Sequence, residues 1–144
     1  MRIVVDTNIV FSAILNSNGL IGELLFNTER LFDFYAPEFI IDELNKHKTK
    51  LKHLTKMTSE NIDISIYQVL KNIELISSQA ISELDWQHAY ELALDIDEDD
   101  TPFVATALGI KGAIWTGDKK LINGLQHKDF KEIYSTTELF ELTK

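Results

Sequence analysis

Four carboxylates at distant positions stand where a small α/β sheet would gather them: Asp6, Glu43, Asp100 and Asp118. Two short apolar runs, Ile3 to Val5 and Ala113 to Trp115, read as strands, and each stops at or near an aspartate, in Val5-Asp6-Thr7-Asn8 and Trp115-Thr116-Gly117-Asp118. Asp100 immediately precedes the helix-like run that starts at Pro102. Residues just past the carboxyl ends of strands line the ligand crevice of open α/β sheets. Carboxylates gathered there repel one another unless a cation lies between them, and a hard divalent ion is the usual solution. The spacing therefore suggests an acidic metal site.

Each acid also has a simpler reading. Asp6 can cap the helix that follows it, and Asp118 the helix of Leu121 and Ile122. Glu43 lies one turn beyond Phe39 and Ile40, on or beside a core-facing helix surface, where a glutamate is unusual unless paired or coordinated. Glu38 and Asp42 read as exposed first-turn acids favoured by the helix dipole. The run Asp97-Glu98-Asp99-Asp100 reads mostly as solvated loop and N-cap, with one member turned inward. Asp100 is nearest the helix and the sheet and is preferred; Asp97 is second, for a second metal or as support for the ligands. Asn8 is expected to position Asp6 or a metal-bound water. Thr116 is expected to donate to a phosphate or a neighbouring carboxylate, and Thr7 to bond locally.

The elements that must position these groups follow from patterning. Ile3 to Val5 is a buried β-branched strand. Leu20, Leu24 and Leu25 mark an amphipathic helix, and Phe34-Tyr35-Ala36 a short strand. Pro37 fits a first helical residue, with Phe39, Ile40, Ile41 and Leu44 continuing that helix. Ile62, Ile66, Val69, Leu70 and Ile73 step at helical spacing; Trp86, Tyr90, Leu92 and Ala93 suggest another helix. Pro102 opens a further helix through Phe103, Ala107 and Leu108, and Ile133-Tyr134 is a last short strand. Strands separated by helices predict parallel βαβ units in a small, well-covered sheet.

Composition narrows the classes. At 144 residues, 44% hydrophobic, residues 1–144 are expected to form one domain with a real core. There is no cysteine, so disulfide, thiolate-metal and cysteine-nucleophile chemistry is excluded. No run approaches the roughly 18 apolar residues of a membrane span. The chain enters a strand at once, which leaves no room for a signal peptide, so a cytoplasmic location is expected. The net charge of −9 opposes non-specific capture of nucleic acid by the whole surface. Lys46, Lys48, Lys50, Lys52 and Lys56, with His47 and His53, nevertheless form a local basic segment, compatible with docking a phosphate chain or with a solvated helix end. The histidines have no metal-ligand spacing and read as ordinary surface or core residues. G-x-S-x-G, G-x-x-x-x-G-K-[ST] and G-x-G-x-x-G are all missing.

The ordered set of acids resembles that of PIN-domain ribonucleases, including the VapC-like toxins of bacterial and archaeal toxin–antitoxin pairs. The opening strand with Asp6-Thr7-Asn8 looks like that family's first motif, and Glu43 occupies the place of its helix glutamate. Asp100, with Ala105-Thr106-Ala107-Leu108 behind it, is similar to the third acid and its helix, and Trp115-Thr116-Gly117-Asp118 to the fourth. The match spans nearly the whole chain. Asp97, Asp99 and Asp100 all stand near the third position. The resemblance implies a PIN-like three-layer fold, a small central parallel sheet flanked by helices. It also implies hydrolysis of RNA with Mg²⁺ or Mn²⁺, a homodimer and an inhibitory antitoxin; the Lys46 to Lys56 segment just after Glu43 is a candidate substrate-facing clamp, with Lys46, Lys48, Lys50 and Lys52 as its RNA contacts. Leu20, Leu24 and Phe26 are candidates for the dimer patch, as they are for the core. Two other readings are a PIN-like binding module without activity and a haloacid-dehalogenase-type phosphatase. The phosphatase needs an acid two positions after its first aspartate, where Asn8 stands. A receiver domain fits less well still, because no paired acids follow the first strand.

Overall fold

Ile3, Val4 and Val5 are completely buried, as a β-branched run covered on both faces should be. They belong to β1 (Arg2–Val5), the middle strand of a five-stranded, wholly parallel sheet. The other strands are β2 (Asp33–Pro37), β3 (Ile73–Ile76), β4 (Ala113–Trp115) and β5 (Ile133–Tyr134), in the order β3-β2-β1-β4-β5. The computed structural model describes residues 1–144.

Parallel neighbours need crossovers, and helices supply them. α1 (Thr7–Leu15) and α2 (Leu20–Asn27) join β1 to β2; α3 (Phe39–Lys46), α4 (Lys48–Thr55) and α5 (Ser59–Leu70) join β2 to β3. α6 (Glu83–Ala93) and α7 (Thr101–Ile110) lead to β4, α8 (Lys119–His127) leads to β5, and α9 (Thr136–Glu141) follows it. The expected α/β architecture, a small parallel sheet flanked by helices, is the observed one.

Strand order locates the ligand crevice. From β1 the chain builds outward to β2 and β3, then crosses to β4 and β5 on the other side. Such a reversal opens a crevice at the carboxyl ends of the two strands that flank it, here β1 and β4. Val5 pairs with Trp115, and the Asp6 N–H donates to the Trp115 carbonyl at 3.0 Å. Asp6 and Thr116 therefore leave the sheet side by side. Trp115 holds this level of the sheet: it is fully buried, stacks obliquely on Phe34 at 5.7 Å between ring centres, and donates from Nε1 to Thr136 Oγ1 at 3.0 Å. Below the crevice, α7 is buried along most of its length and packs on α6 and the sheet, with Pro102 in its first turn as expected.

Two expectations differ from the structure, and one alternative is settled. Ile73 does not extend the preceding helix: α5 ends at Leu70, and Ile73–Ile76 forms β3 beside β2. Ile73 lies three residues after Leu70, so helical spacing runs on across the turn at Lys71-Asn72, and the Asn was the stop signal. Pro37 ends β2 rather than opening α3, which begins at Phe39 with Glu38 at its N-cap. The β1 ladder ends at the Val4–Tyr35 pair, so no strand there requires the N–H that Pro37 lacks. Leu24 is 1% exposed and belongs to the core, which removes it from any association patch, whereas Leu20 lies at the surface. No single helix is long and apolar enough to cross a membrane.

Candidate active site

Asp6 is the N-cap of α1 and is nonetheless 6% exposed. Its Oδ1 accepts the Thr7 N–H at 2.7 Å, and its Oδ2 accepts the Thr116 hydroxyl at 2.6 Å. Thr116, fully buried, also accepts the Asp118 N–H at 3.1 Å, so one hydroxyl ties the ends of β1 and β4 together. Of its two expected partners, the neighbouring carboxylate is the one it meets. Asp118 caps α8, accepting from Lys120 N–H at 2.9 Å and Leu121 N–H at 3.3 Å, and still lines the crevice. Its capping role and its place in the cleft coexist.

Glu43 reaches the same crevice from α3, half-buried, and accepts the Thr7 hydroxyl at 3.1 Å. Thr7, expected to bond locally, thus spans 36 residues of sequence. Asn8 is exposed, and its Oδ1 accepts the Gly117 N–H at 3.4 Å rather than contacting Asp6. Glu38 and Asp42 are exposed, as expected.

The acidic run divides clearly. Asp97 is exposed and accepts the Asp99 N–H at 3.0 Å, capping the short 3-10 turn Glu98–Asp100. Asp100 is half-buried, makes no capping bond to α7, and leaves a buried Oδ2 with no hydrogen-bond partner.

Asp6, Glu43, Asp97, Asp100 and Asp118 line one cleft of about 310 Å³. Burial pushes the Asp100 carboxyl up to about 7, with the charges of Asp6, Asp97, Asp118 and Glu43 adding to it. Asp6 is raised to about 6, again chiefly by burial and less by Glu43 and Asp118, against the bonds from Thr116 and Thr7 that favour its ionised form. Desolvation leads, and the mutual repulsion expected of gathered carboxylates adds to it. No three Asp, Glu or His side chains close on a single point at ligand distance. The acids line the cleft as a ring rather than as a closed coordination shell.

The pH dependence of stability follows from these two groups. Each binds its proton more tightly in the folded protein than in the unfolded chain, so stability falls as pH rises from the ordinary value of 3.8 to about 7. Above that range the dependence flattens. Asp100→Asn removes its share of the effect. In chelator the variant is expected to melt higher than wild type at pH 8, with the gap closing toward pH 4; a lower melting temperature at pH 8 would contradict the burial of a charged Asp100.

The cleft's other wall comes from the basic segment singled out in the sequence. Lys50 and His47 line the cleft with Phe11. His47 meets Phe11 edge to face at 6.1 Å, and the Lys50 ammonium lies 5.7 Å from the Phe11 ring centre. His47 follows Glu43 at the end of α3 and Lys50 lies in the first turn of α4, so the junction between the two helices brings both to the cleft. The remaining lysines of the segment behave differently. Lys48 pairs with Asp63 at 2.8 Å, and Lys46 and Lys52 are exposed outside the cleft.

A profile of the PIN domain matches residues 4–138. The chain therefore belongs to the PIN-domain family, a family of nucleases. It is similar to the Methanocaldococcus jannaschii protein MJ1680, at 27% identity over 125 residues, 85% of this chain and 74% of that one. Among solved structures it resembles PAE2754 from Pyrobaculum aerophilum, with TM-score 0.67 and 12% identity over 98% of this chain and 88% of the other. VapBC-1 from nontypeable Haemophilus influenzae superposes at TM-score 0.66 with 15% identity, covering 95% of this chain and 99% of that one. VapBC2 from Rickettsia felis, bound to a DNA fragment from its promoter, gives 0.64 with 14% identity, over 94% and 98%. At such identities these three structures speak to the fold alone.

Proposed function

We propose that this PIN-domain chain is a divalent-metal-dependent endoribonuclease that hydrolyses phosphodiester bonds of single-stranded RNA, acting as the toxin of a toxin–antitoxin pair. The observation that carries this reading is the buried Asp100 Oδ2, unpartnered beside the charges of Asp6, Glu43 and Asp118. A buried acceptor without a partner is costly, and costlier among like charges. An all-oxygen donor set with this defect fits Mg²⁺ or Mn²⁺. Asp6, Glu43, Asp100 and Asp118 would hold the ion, with Asp97 at the cleft's edge. A bound ion supplies Lewis acidity toward the phosphodiester and a water acidic enough to ionise near neutral pH.

The chain's own groups do the rest. Thr116 and Thr7 fix the carboxylates of Asp6 and Glu43 by hydrogen bonds. Asn8, held through its Oδ1, keeps its amide N–H groups for an oxygen in the cleft. Lys50, with His47 beside it in the same wall, offers the positive charge a phosphate chain needs.

Of Lys46, Lys48, Lys50 and Lys52, Lys50 is thus the proposed RNA contact with the largest effect. Lys50→Ala is expected to weaken binding of single-stranded RNA whatever its sequence and to reduce the salt slope by about 0.7. Lys48→Ala should change little, since that charge is already matched by Asp63. Fluorescence anisotropy across a salt series checks this; equal losses from both substitutions would return the segment to a diffuse charge effect.

The likeness to the VapBC structures supports an antitoxin partner. We place a basic antitoxin side chain, an arginine, among the four acids, where it pairs with carboxylates and competes with the metal. The −9 charge draws such a segment in at low salt. We further propose a homodimer, in the cytoplasm where the RNA is.

The test is cleavage of single-stranded RNA by chelator-stripped protein, before and after Mg²⁺ or Mn²⁺ is restored. Cleavage only with metal is expected. Full cleavage in chelator would remove the metal from this account, and no cleavage under either condition would favour a silent binding module.

A further inference from the structure

A second concavity adjoins the acidic cleft. It measures about 330 Å³, and Phe39, Trp86 and Pro102 form its apolar part, with Glu38, Asp42 and Ser78 among its polar residues. It shares two walls with the cleft. On α3, Asp42 lines the groove and Glu43 the cleft, as successive residues about 100° apart on a helix can. Phe39 stands four residues, about 6 Å of rise, before Glu43. At the start of α7, Asp100 lines the cleft and Pro102 the groove. Neighbouring residues of α3, and of the start of α7, thus line the groove on one side and the cleft on the other.

The groove's chemistry suits a base better than a phosphate. Trp86 is half-buried, and its Nε1–H donates to the Ser78 carbonyl at 3.1 Å, which fixes the ring. Half-exposed aromatic rings stack unpaired bases. Glu38 and Asp42 are exposed and enter no ion pair, and Glu38 makes no capping bond although it is the N-cap of α3. Their charge repels phosphate oxygens and accepts N–H donors. Guanine presents two adjacent donors, N1–H and the N2 amino group, which match the two oxygens of a carboxylate. Adenine and cytosine each set an amino group beside a ring-nitrogen acceptor, and uracil flanks its one N–H with carbonyls, which the acids repel.

We propose that this groove is a base pocket for a guanine neighbouring the nucleotide that is cut. It rests on the reading of the chain as an RNA nuclease, and gives that reading a sequence preference: stacking on Trp86 and Phe39 holds the base, and Glu38 or Asp42 selects it.

Indole N–H signals in NMR spectra test it. The chain has two tryptophans. Trp115 is fully buried and Trp86 is not, so a base entering the groove moves the Trp86 signal alone; Trp86→Phe assigns it. Chelated wild-type protein is titrated with guanosine or uridine monophosphate, which share a phosphate and differ in base. The expected result is movement of the Trp86 signal at concentrations about tenfold lower for the guanosine nucleotide, with that advantage lost in Glu38→Gln/Asp42→Asn. No movement with the guanosine nucleotide, movement matched by uridine, or a guanosine advantage untouched in the double variant overturns the proposal. RNA cleavage by the same protein after Mg²⁺ or Mn²⁺ is restored separates the two ideas: cleavage without the selective shift removes the pocket and leaves the nuclease, and the shift without cleavage does the reverse.

Discussion

Replacing Asp6, Glu43 or Asp100 singly by its amide is expected to lower RNA cleavage at least about a hundredfold while the fold survives. Each substitution keeps the side chain's shape and removes one of the charges that would hold the metal. Asp100→Asn is the most informative of the three. Its Oδ2 has no partner to lose, so the variant should be inactive and, without metal, more stable. Asp118→Asn retains a capping oxygen for α8, because asparagine caps helices as well as aspartate, and it should lose activity without unfolding. Asp97→Asn likewise keeps its bond to the Asp99 N–H and should have the smallest effect of the set. Cleavage rates measured beside melting temperatures decide this. An inactive Asp97→Asn with an active Asp100→Asn would move the third acid to Asp97.

Thr116→Val is expected to have the next largest effect. Valine matches threonine in shape but cannot donate to Asp6 Oδ2 or accept from the Asp118 N–H, and both groups lie where β1 and β4 leave the sheet. Two polar groups at a buried position would lose their partner, at a cost of about 1–3 kcal/mol in stability. Cleavage should fall about tenfold or more as the Asp6 carboxylate loses its fixed position. Thr116→Ser, which keeps the hydroxyl, should restore both properties. Normal activity in the valine variant would mean that Asp6 is held by its other bonds alone.

The sequence was most readable where one residue has one job. β1 and β4 were legible because their apolar runs are short and end in polar residues, and α7 because Pro102 marks its start. β3 was not, because Ile73 continues the helical spacing of Ile66, Val69 and Leu70 across a turn. Pro37 misled for a related reason: a residue with fixed φ and no N–H is at home both in a first helical turn and at the end of a strand. The acids of the cleft were legible from their positions at strand exits and helix starts. Their hydrogen bonds were less so, since Thr7 meets Glu43 only after β1 and α3 have been brought together. Lys50 was named together with Lys46, Lys48 and Lys52, and the sequence could not separate it from them, because the junction between α3 and α4 at His47 decides which lysine meets the cleft. The positions of Asp97 and Asp100, three residues apart in an unbroken acidic run, could be resolved only by the turn that exposes one and half-buries the other.

Whether these carboxylates form a divalent-ion site is read by calorimetric titration of Mn²⁺ into chelator-stripped protein. Saturable binding is expected for the wild type and for Lys50→Ala, and none for Asp6→Asn/Asp100→Asn. A wild-type protein that takes up no Mn²⁺, or a double variant that takes it up unchanged, would contradict such a site.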